Sequence, residues 1–556
     1  MLRRVSLFAL AVASLLGMAL TLTAQPSQAG SPGPIRPFIL DSLIIVTADV
    51  FDSTNRIPIV GSLIEHLHAV TKPKVIVQEV FRGRGDTVTQ YDLDEIEQNL
   101  RNYTIFSDIV FEVTPVPGSE DDEGDGLPHA ILTVRTRDAW SLRVSGFYNS
   151  ENNLSYGASL SEVNLLGLGK TFGVTADYSN REDRGWRSGV TYLNPNIFGT
   201  HAQIGGNATL AGSERIGNLF IGRPFFSDRT PYAFNTAIAY FFGNEASYTR
   251  LPTEVISTLV PIHRTAIGGW FSSATGEDGE VFRSSIDVQY NRAYRDGPTE
   301  HPRAFENSVW VFGGISSRRR SYTRINGADM DGEVQVPIGA MGSVSIGKIS
   351  PTNGGLDNVV YVGADARKAV RSGDFYGYAS IEAGTGLAKK AAQFTSERVV
   401  ASGAWVINPG ALAARVEQST LWNWPRYVAL TLDNASGLRG YDQGEIFGDN
   451  KMLVNLEYRL MPIVRILSFD LGMAAFYDVG SVWRQSEKLA QAQFHSSAGM
   501  GVRVASANGG IQKGLLRVDF TYNFDQKKLG RIIVSSEESF DFFGTLDYRP
   551  PAPYIF

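Results

Sequence analysis

"LRVDFTYNF", residues 516–524, alternates without a break. Leu516, Val518, Phe520, Tyr522 and Phe524 fall on one face, with Arg517, Asp519, Thr521 and Asn523 on the other. A period of two marks extended backbone whose two sides meet different surroundings. The same period recurs along most of the chain. "FGVTADYSN" (172–180) sets Phe172, Val174, Ala176 and Tyr178 against Thr175, Asp177 and Ser179. "SIDVQYN" (285–291) and "VNLEYRL" (454–460) do likewise. "FDFFGTLDY" (540–548), with Phe540, Phe542, Leu546 and Tyr548 on one side, reads as a further strand.

A soluble sandwich also alternates, but two features point elsewhere. The apolar faces are rich in aromatics, and the polar faces carry charges in mid-strand. Lipid on one side and a wet lumen on the other account for both. In a bilayer every backbone N–H and C=O must find a partner within the sheet, so such a sheet closes into a barrel. The fold class expected is therefore mainly β: a transmembrane antiparallel β-barrel over residues 139–556. Counting alternating segments one by one allows up to about twenty strands. Residues 245–264 read as a long surface loop.

The N-terminus points to export. "MLRR" is a basic head, "VSLFALAVASLLGMALTLTA" an apolar run, and "SQAG" supplies small residues. This reads as a signal peptide over residues 1–29, cut after Ala24 or Ala29. No second long apolar run follows, which argues against a transmembrane helix. The absence of cysteine removes disulfides and thiolate chemistry. A net charge of -6 gives no footprint for nucleic acid.

Residues 38–138 have a different texture. "LIIVTADV" (43–50) reads as a strand. "TKPKVIVQEVF" (71–81) opens with Thr71 and Pro73, as a helix would, although its β-branched run also suits a strand. "YDLDEIEQNLRN" (91–102) pairs Asp92 with Glu95 in capping-box spacing, and Leu93, Ile96 and Leu100 form its apolar stripe. Two alternating strands follow, "IVFEVTPV" (109–116) and "AILTVRTRD" (130–138), giving the order β-α-α-β-β. The acidic "GSEDDEGDG" (118–126) between them lacks the carboxylate a calcium loop needs, with Leu132 at the twelfth position. No metal site is expected.

Enzymatic motifs are missing. There is no G-x-S-x-G or H-E-x-x-H, and "NLLGLGKT" has Asn164 where a phosphate loop needs its first glycine. No catalytic residue and no cofactor is expected.

One loop stands out. In "GLRGYDQGEIFGDN" (437–450) a single arginine, Arg439, is held between Gly437 and Gly440. With "NLLGLG" (164–169), "NLEYR" (455–459) and "FYDVGSVW" (476–483), it resembles the BamA/TamA superfamily of outer-membrane assembly and translocation barrels. "NLLGLG" looks like the family's early periplasmic turn. "GLRGY", comprising Gly437, Leu438, Arg439, Gly440 and Tyr441, looks like its loop motif. Phe476, Asp478 and Gly480 fall on its strand motif.

The resemblance implies about sixteen strands, a periplasmic POTRA-like domain at 38–138, and a loop (432–450) folded into the barrel. There Arg439 would pair with Asp478 and Glu457. The residue pattern agrees in direction: Glu457 lies on the polar side of its strand, and Asp478 should face inward if Tyr477 faces lipid. The implied function is insertion of barrels or export of a client protein. Implied partners are outer-membrane lipid, unfolded client proteins and periplasmic or lipoprotein accessory factors. The alternative reading is a passive porin or solute channel. Two departures stand beside the resemblance. There is room for one POTRA-like domain only, and prolines in "RPPAPYIF" (549–556) cannot join a strand ladder.

Overall fold

The structure is a computed structural model. It describes residues 35–552 except 51–68, 118–125, 150–154, 181–184, 213, 251–254, 296–306, 328–332, 353–356, 390, 424–428, 442–445, 467–468, 507–514 and 536–537. The signal-peptide segment and the acidic 118–125 stretch lie outside the described residues.

The first unit is a four-stranded sheet in the order β2-β1-β4-β3, built from β1 (Phe38–Ala48), β2 (Thr87–Val88), β3 (Phe106–Pro115) and β4 (His129–Asp138). Two helices pack on it, α1 (Pro73–Glu79) and α2 (Gln90–Asn102). Pro73 opens α1, where its missing N–H costs nothing. The β-branched Val75 and Ile76 are in helix because they are buried there, Ile76 completely. The helix α2 starts one turn earlier than Asp92 and Glu95 suggest. Thr89 caps it and Asp92 closes the box, accepting the Thr89 N–H at 2.8 Å. That leaves Glu95 free for another use. Leu93, Ile96 and Leu100 reach the core. Full burial of such a side chain contributes about 1.5–3 kcal/mol each.

Among the described residues, twenty of the remaining strands form one closed antiparallel barrel. It begins with β5 (Leu142–Asn149), β6 (Ser155–Glu162), β7 (Thr171–Ser179), β8 (Gly185–Ile197), β9 (Ala202–Ala211) and β10 (Arg215–Arg223), and continues through β11 (Tyr232–Arg250), β12 (Val255–Glu277), β13 (Glu280–Arg295), β14 (Ser308–Asn326) and β15 (Glu333–Pro351). Next come β16 (Val359–Ser372), β17 (Phe375–Ala388), β18 (Ala391–Ile407) and β19 (Gly410–Trp422). A two-stranded ribbon, β20 (Leu430–Leu432) with β21 (Ile446–Gly448), interrupts the wall. The wall then resumes with β22 (Asn450–Ile466), β23 (Phe469–Trp483), β24 (Phe494–Ser506), β25 (Leu515–Asn523) and β26 (Lys528–Ser535). The strand number is that of the segment count, not the sixteen implied by resemblance.

The two faces separate as the alternation requires. On β25, Leu516, Phe520 and Tyr522 are 42%, 49% and 37% exposed on the outside, whereas Asp519 and Asn523 are wholly buried within. An outward apolar face and an inward charged one suit a wall between lipid and a polar lumen.

Two segments differ from expectation. Residues 245–250 and 255–264 are not an irregular loop: β11 and β12 pair from Tyr232↔Ser273 to Arg250↔Val255. "FDFFGTLDY" is not a strand. The segment after β26 instead lies against the inner wall, with Phe540, Phe542 and Leu546 buried.

Among the described residues, β25 and β24 share nine register pairs and β26 and β5 share one, Val534↔Tyr148.

The first unit sits against one end of the barrel. Asn164 of the turn after β6 donates to Thr71 Oγ1 at 2.9 Å and to Ala69 O at 3.1 Å. A side chain on Gly167, which has φ +69°, would strike the Val70 carbonyl. From α2, Tyr91 donates to Asp228 at 2.6 Å and Asn99 to the Phe226 carbonyl at 2.8 Å. Glu95, one of the most buried acids of α2, accepts from Ser227 Oγ (2.8 Å), the Asp228 N–H (3.0 Å) and Arg320 (3.1 Å). Burial pushes its carboxyl above the ordinary range, and Arg320 pulls it back. Glu97 binds Arg324 at 2.7 Å.

A closed barrel holds its own backbone hydrogen bonds and should resist detergent until heated. Unheated and boiled samples are expected to migrate differently on a denaturing gel. Identical migration would contradict the closed barrel.

Candidate functional site: a loop pinned inside the barrel

The loop between β19 and β22 brings Arg439 to the inner wall. Its guanidinium is completely buried. It forks onto Asp478, Nε to Oδ2 at 2.7 Å and Nη2 to Oδ1 at 2.8 Å, and reaches Glu457 Oε2 through Nη1 at 2.7 Å. The plane of the guanidinium lies over the Phe476 ring, 3.5 Å from its centre. Planarity and five fixed donors let arginine do all three at once, which a lysine cannot.

The wall strands set this up by parity. Asn455, Glu457 and Arg459 are the inward residues of β22, and Phe476 and Asp478 those of β23. Between them Leu456 and Tyr477 face outward, 43% and 42% exposed. Asn455 pairs with Asp478 across the ladder and donates both to its carboxylate, at 2.7 Å, and to the Gly437 carbonyl, at 2.8 Å.

The glycines have steric reasons. Gly437 has φ +111° and Gly440 φ +85°, both left-handed. A Cβ on Gly437 would lie 2.9 Å from Leu453, and one on Gly440 3.0 Å from Thr521 Oγ1. Gly480 makes room for Leu432, which would be 2.9 Å from a Cβ there. Leu438 and Tyr441 fill a small apolar cluster with Leu432 and Leu453. The Tyr441 hydroxyl donates at 3.0 Å to the Ser496 carbonyl or to Asp525. Asn523 holds the Gly440 carbonyl at 3.1 Å. Every residue of the loop motif thus touches the wall.

The network reaches beyond the three residues singled out from sequence. Glu457 Oε1 also accepts from Arg459 at 2.9 Å and from Arg503 at 3.4 Å. Arg503 binds Asp519 at 2.6 Å and Glu538 at 2.9 Å. Arg459 donates to the Phe540 carbonyl at 3.0 Å. Arg459 and Asp519 were visible as mid-strand charges on polar faces, but nothing in sequence spacing ties them to Arg439.

A closed antiparallel barrel with a polar lumen and an arginine-pinned loop defines a class, that of outer-membrane β-barrels with an internal loop. Within that class, residues 374–543 match the Omp85 superfamily domain. The matched segment runs from β17 past β26 and contains Arg439, Asp478, Glu457 and their neighbours. That part of the barrel thus resembles the Omp85 superfamily domain.

No curated protein matches the chain. Solved structures show slight likeness. BamA from Haemophilus ducreyi lacking POTRA domains 1–3 is 11% identical, with 90% of this chain and 84% of that chain covered and a TM-score of 0.37. CdiB from Acinetobacter baumannii is 11% identical, with 90% and 73% covered and a TM-score of 0.42. The FrpB iron transporter from Neisseria meningitidis is 11% identical, with 80% and 85% covered and a TM-score of 0.37. Likenesses of this size bear on nothing further. Among the described residues no cluster of His, Asp and Glu is arranged to hold a metal ion.

Proposed function

We propose that the protein inserts or exports client polypeptides at the outer membrane, without enzymatic chemistry, and that its first unit, residues 38–138, works in the periplasm as a POTRA-like domain. The observation that carries this reading is the Omp85 superfamily domain, which spans the pinned loop and both of the wall strands that hold it. A porin has no use for a loop fixed by a buried three-way ion pair or for a docked α/β unit at one mouth. The exposed edge of the small sheet, β3, is a place where an unfolded chain or an accessory protein can add a strand.

In this reading the barrel opens at its weakest joint. That joint is between β5 and β26, which share a single register pair among the described residues. The strand that meets β5 is β26, and not "FDFFGTLDY", which the sequence reads as a strand.

The test uses the Tyr148→Cys, Val534→Cys double variant. The chain has no cysteine of its own. Opposed Cα atoms in an antiparallel pair lie about 4.5–5.5 Å apart, within the span of a disulfide. In cells whose only copy is the oxidised variant, the outer-membrane proteome should lose its clients, and reductant should restore them. Broad loss of barrels would identify an insertase, and loss of one surface protein a dedicated exporter. An unchanged proteome with the seam locked would overturn the reading.

A further inference from the structure

The segment after β26 crosses the lumen without pairing as a strand. Its contacts run across the inner wall from β24 to β13. Glu538 meets Arg503 of β24, and the Phe540 carbonyl meets Arg459 of β22. The Phe542 carbonyl accepts from Ser402 of β18 at 3.1 Å, and the Gly544 N–H donates to the Tyr376 hydroxyl of β17 at 3.3 Å. Arg318 of β14 and Arg367 of β16 reach the Leu546 and Asp547 carbonyls, each at 3.5 Å. Tyr548 donates to Ser285 of β13 at 2.6 Å, and Arg549 pairs with Glu382 at 2.7 Å. Phe540, Phe542 and Leu546 bury themselves against Ile325, Met341, Ala404 and Ala413.

Three properties of this contact are those of a groove for an extended peptide. First, wall side chains hold the segment mainly by its backbone, which any sequence supplies. Second, the side chains that are read are large and apolar at alternate positions. Third, the groove has donors to spare: Arg283 Nε and Nη1 and Arg318 Nε are buried without a hydrogen-bond acceptor. A cavity of about 310 Å³ also opens beside Phe540 and Phe543, lined by Arg398 and Arg415. The segment occupies the groove without filling it.

We propose that the inner wall from β13 to β22 is a docking groove for extended polypeptide bearing alternate aromatic or aliphatic side chains, and that residues 538–552 are its resident occupant, a displaceable plug. An incoming segment of the same chemistry takes the same carbonyl contacts and pushes the plug out. Only the identity of that second occupant rests on the function proposed above.

The experiment is ion conductance of the purified full chain in planar bilayers, with no client or accessory factor present. The wild type should conduct weakly. Phe542→Asp with Leu546→Asp sets two carboxylates in the apolar floor, and should raise conductance several-fold. Gly544→Val leaves the wall untouched but drives a side chain into the Tyr378 ring. It should open the pore likewise and covers the case in which the double variant does not fold. A synthetic peptide of residues 538–552, added to either variant, should close the pore again at micromolar concentration. The same peptide with Phe540, Phe542 and Leu546 replaced by Ser should not.

Wild-type conductance in both variants would overturn the plug, and an open pore indifferent to the peptide would overturn the groove. Neither result touches the seam-disulfide experiment. Failure of that experiment likewise leaves the conductance unchanged.

Discussion

Arg439→Ala is expected to release the loop from the wall and abolish most activity while the barrel still reaches the membrane. Breaking a buried ion pair from one side costs on the order of 3–5 kcal/mol, less in a hydrated lumen. The two acceptors do not suffer equally. Glu457 keeps the cations Arg459 and Arg503, whereas Asp478 keeps, among the described residues, the Asn455 amide and the backbone N–H of residue 439 at 3.4 Å, and no cation. The stranded charge is therefore Asp478. Arg439→Lys retains charge but not the fork, and should be intermediate. Asp478→Asn should resemble Arg439→Ala, and the double variant should be no worse than either single change, because the two residues act as one unit. Protease accessibility of the loop, measured alongside activity, checks this. Strictly additive losses would show that the fork contributes nothing to holding the loop.

The second large effect is expected at the junction between the first unit and the barrel. Glu95→Arg replaces the acceptor for Arg320, Ser227 and the Asp228 amide with a cation facing Arg320 and Arg318. Losing a buried pair of this kind is worth roughly 3 kcal/mol, or about two orders of magnitude in the docked-to-free ratio. Spin labels on the exposed Glu112 and Asp374 positions should give one narrow distance in the parent and a broad distribution in Glu95→Arg. Adding Arg320→Glu restores an opposed pair and should recover part of the narrow distance. A distribution unchanged by Glu95→Arg would mean that docking rests on the Tyr91 and Asn99 contacts instead.

Much of this architecture was legible because a membrane wall has simple rules. Alternation with charges in mid-strand implied a lumen, and Tyr477 beside Asp478 implied which way the carboxylate points. The glycines around Arg439 announced a close approach of backbone to wall, which Leu453 and Thr521 explain. The misreadings are equally physical. "FDFFGTLDY" alternates because one side of an extended segment meets the wall and the other faces the lumen. A period of two reports unlike sides, not a ladder partner. Glu95 looked like half of a capping box because its spacing from Asp92 is right, but Thr89 had already capped the helix. Residues 245–250 and 255–264 pair as strands although no clean alternation of apolar and polar residues marks them in the sequence. Glu457 meets Arg439 of the loop, Arg459 on its own strand and Arg503 of β24, and only the folded sheet brings the loop and β24 to it.

The wall is tall on one side. Among the described residues β11, β12 and β14 have 19, 23 and 19 residues. At a rise of about 3.3 Å per residue and a tilt of about 40°, a 19-residue strand spans roughly 48 Å, well beyond the apolar band of about 25 Å usual for such barrels. The surplus cannot lie in hydrocarbon and must stand in water, with its backbone held by its own pairing. β11 starts close to the Asp228 contact with the first unit, so the surplus of β11 and β12 rises at the opposite mouth. That mouth thereby carries a stiff paired ridge, which anything approaching from that side meets before it meets the bilayer.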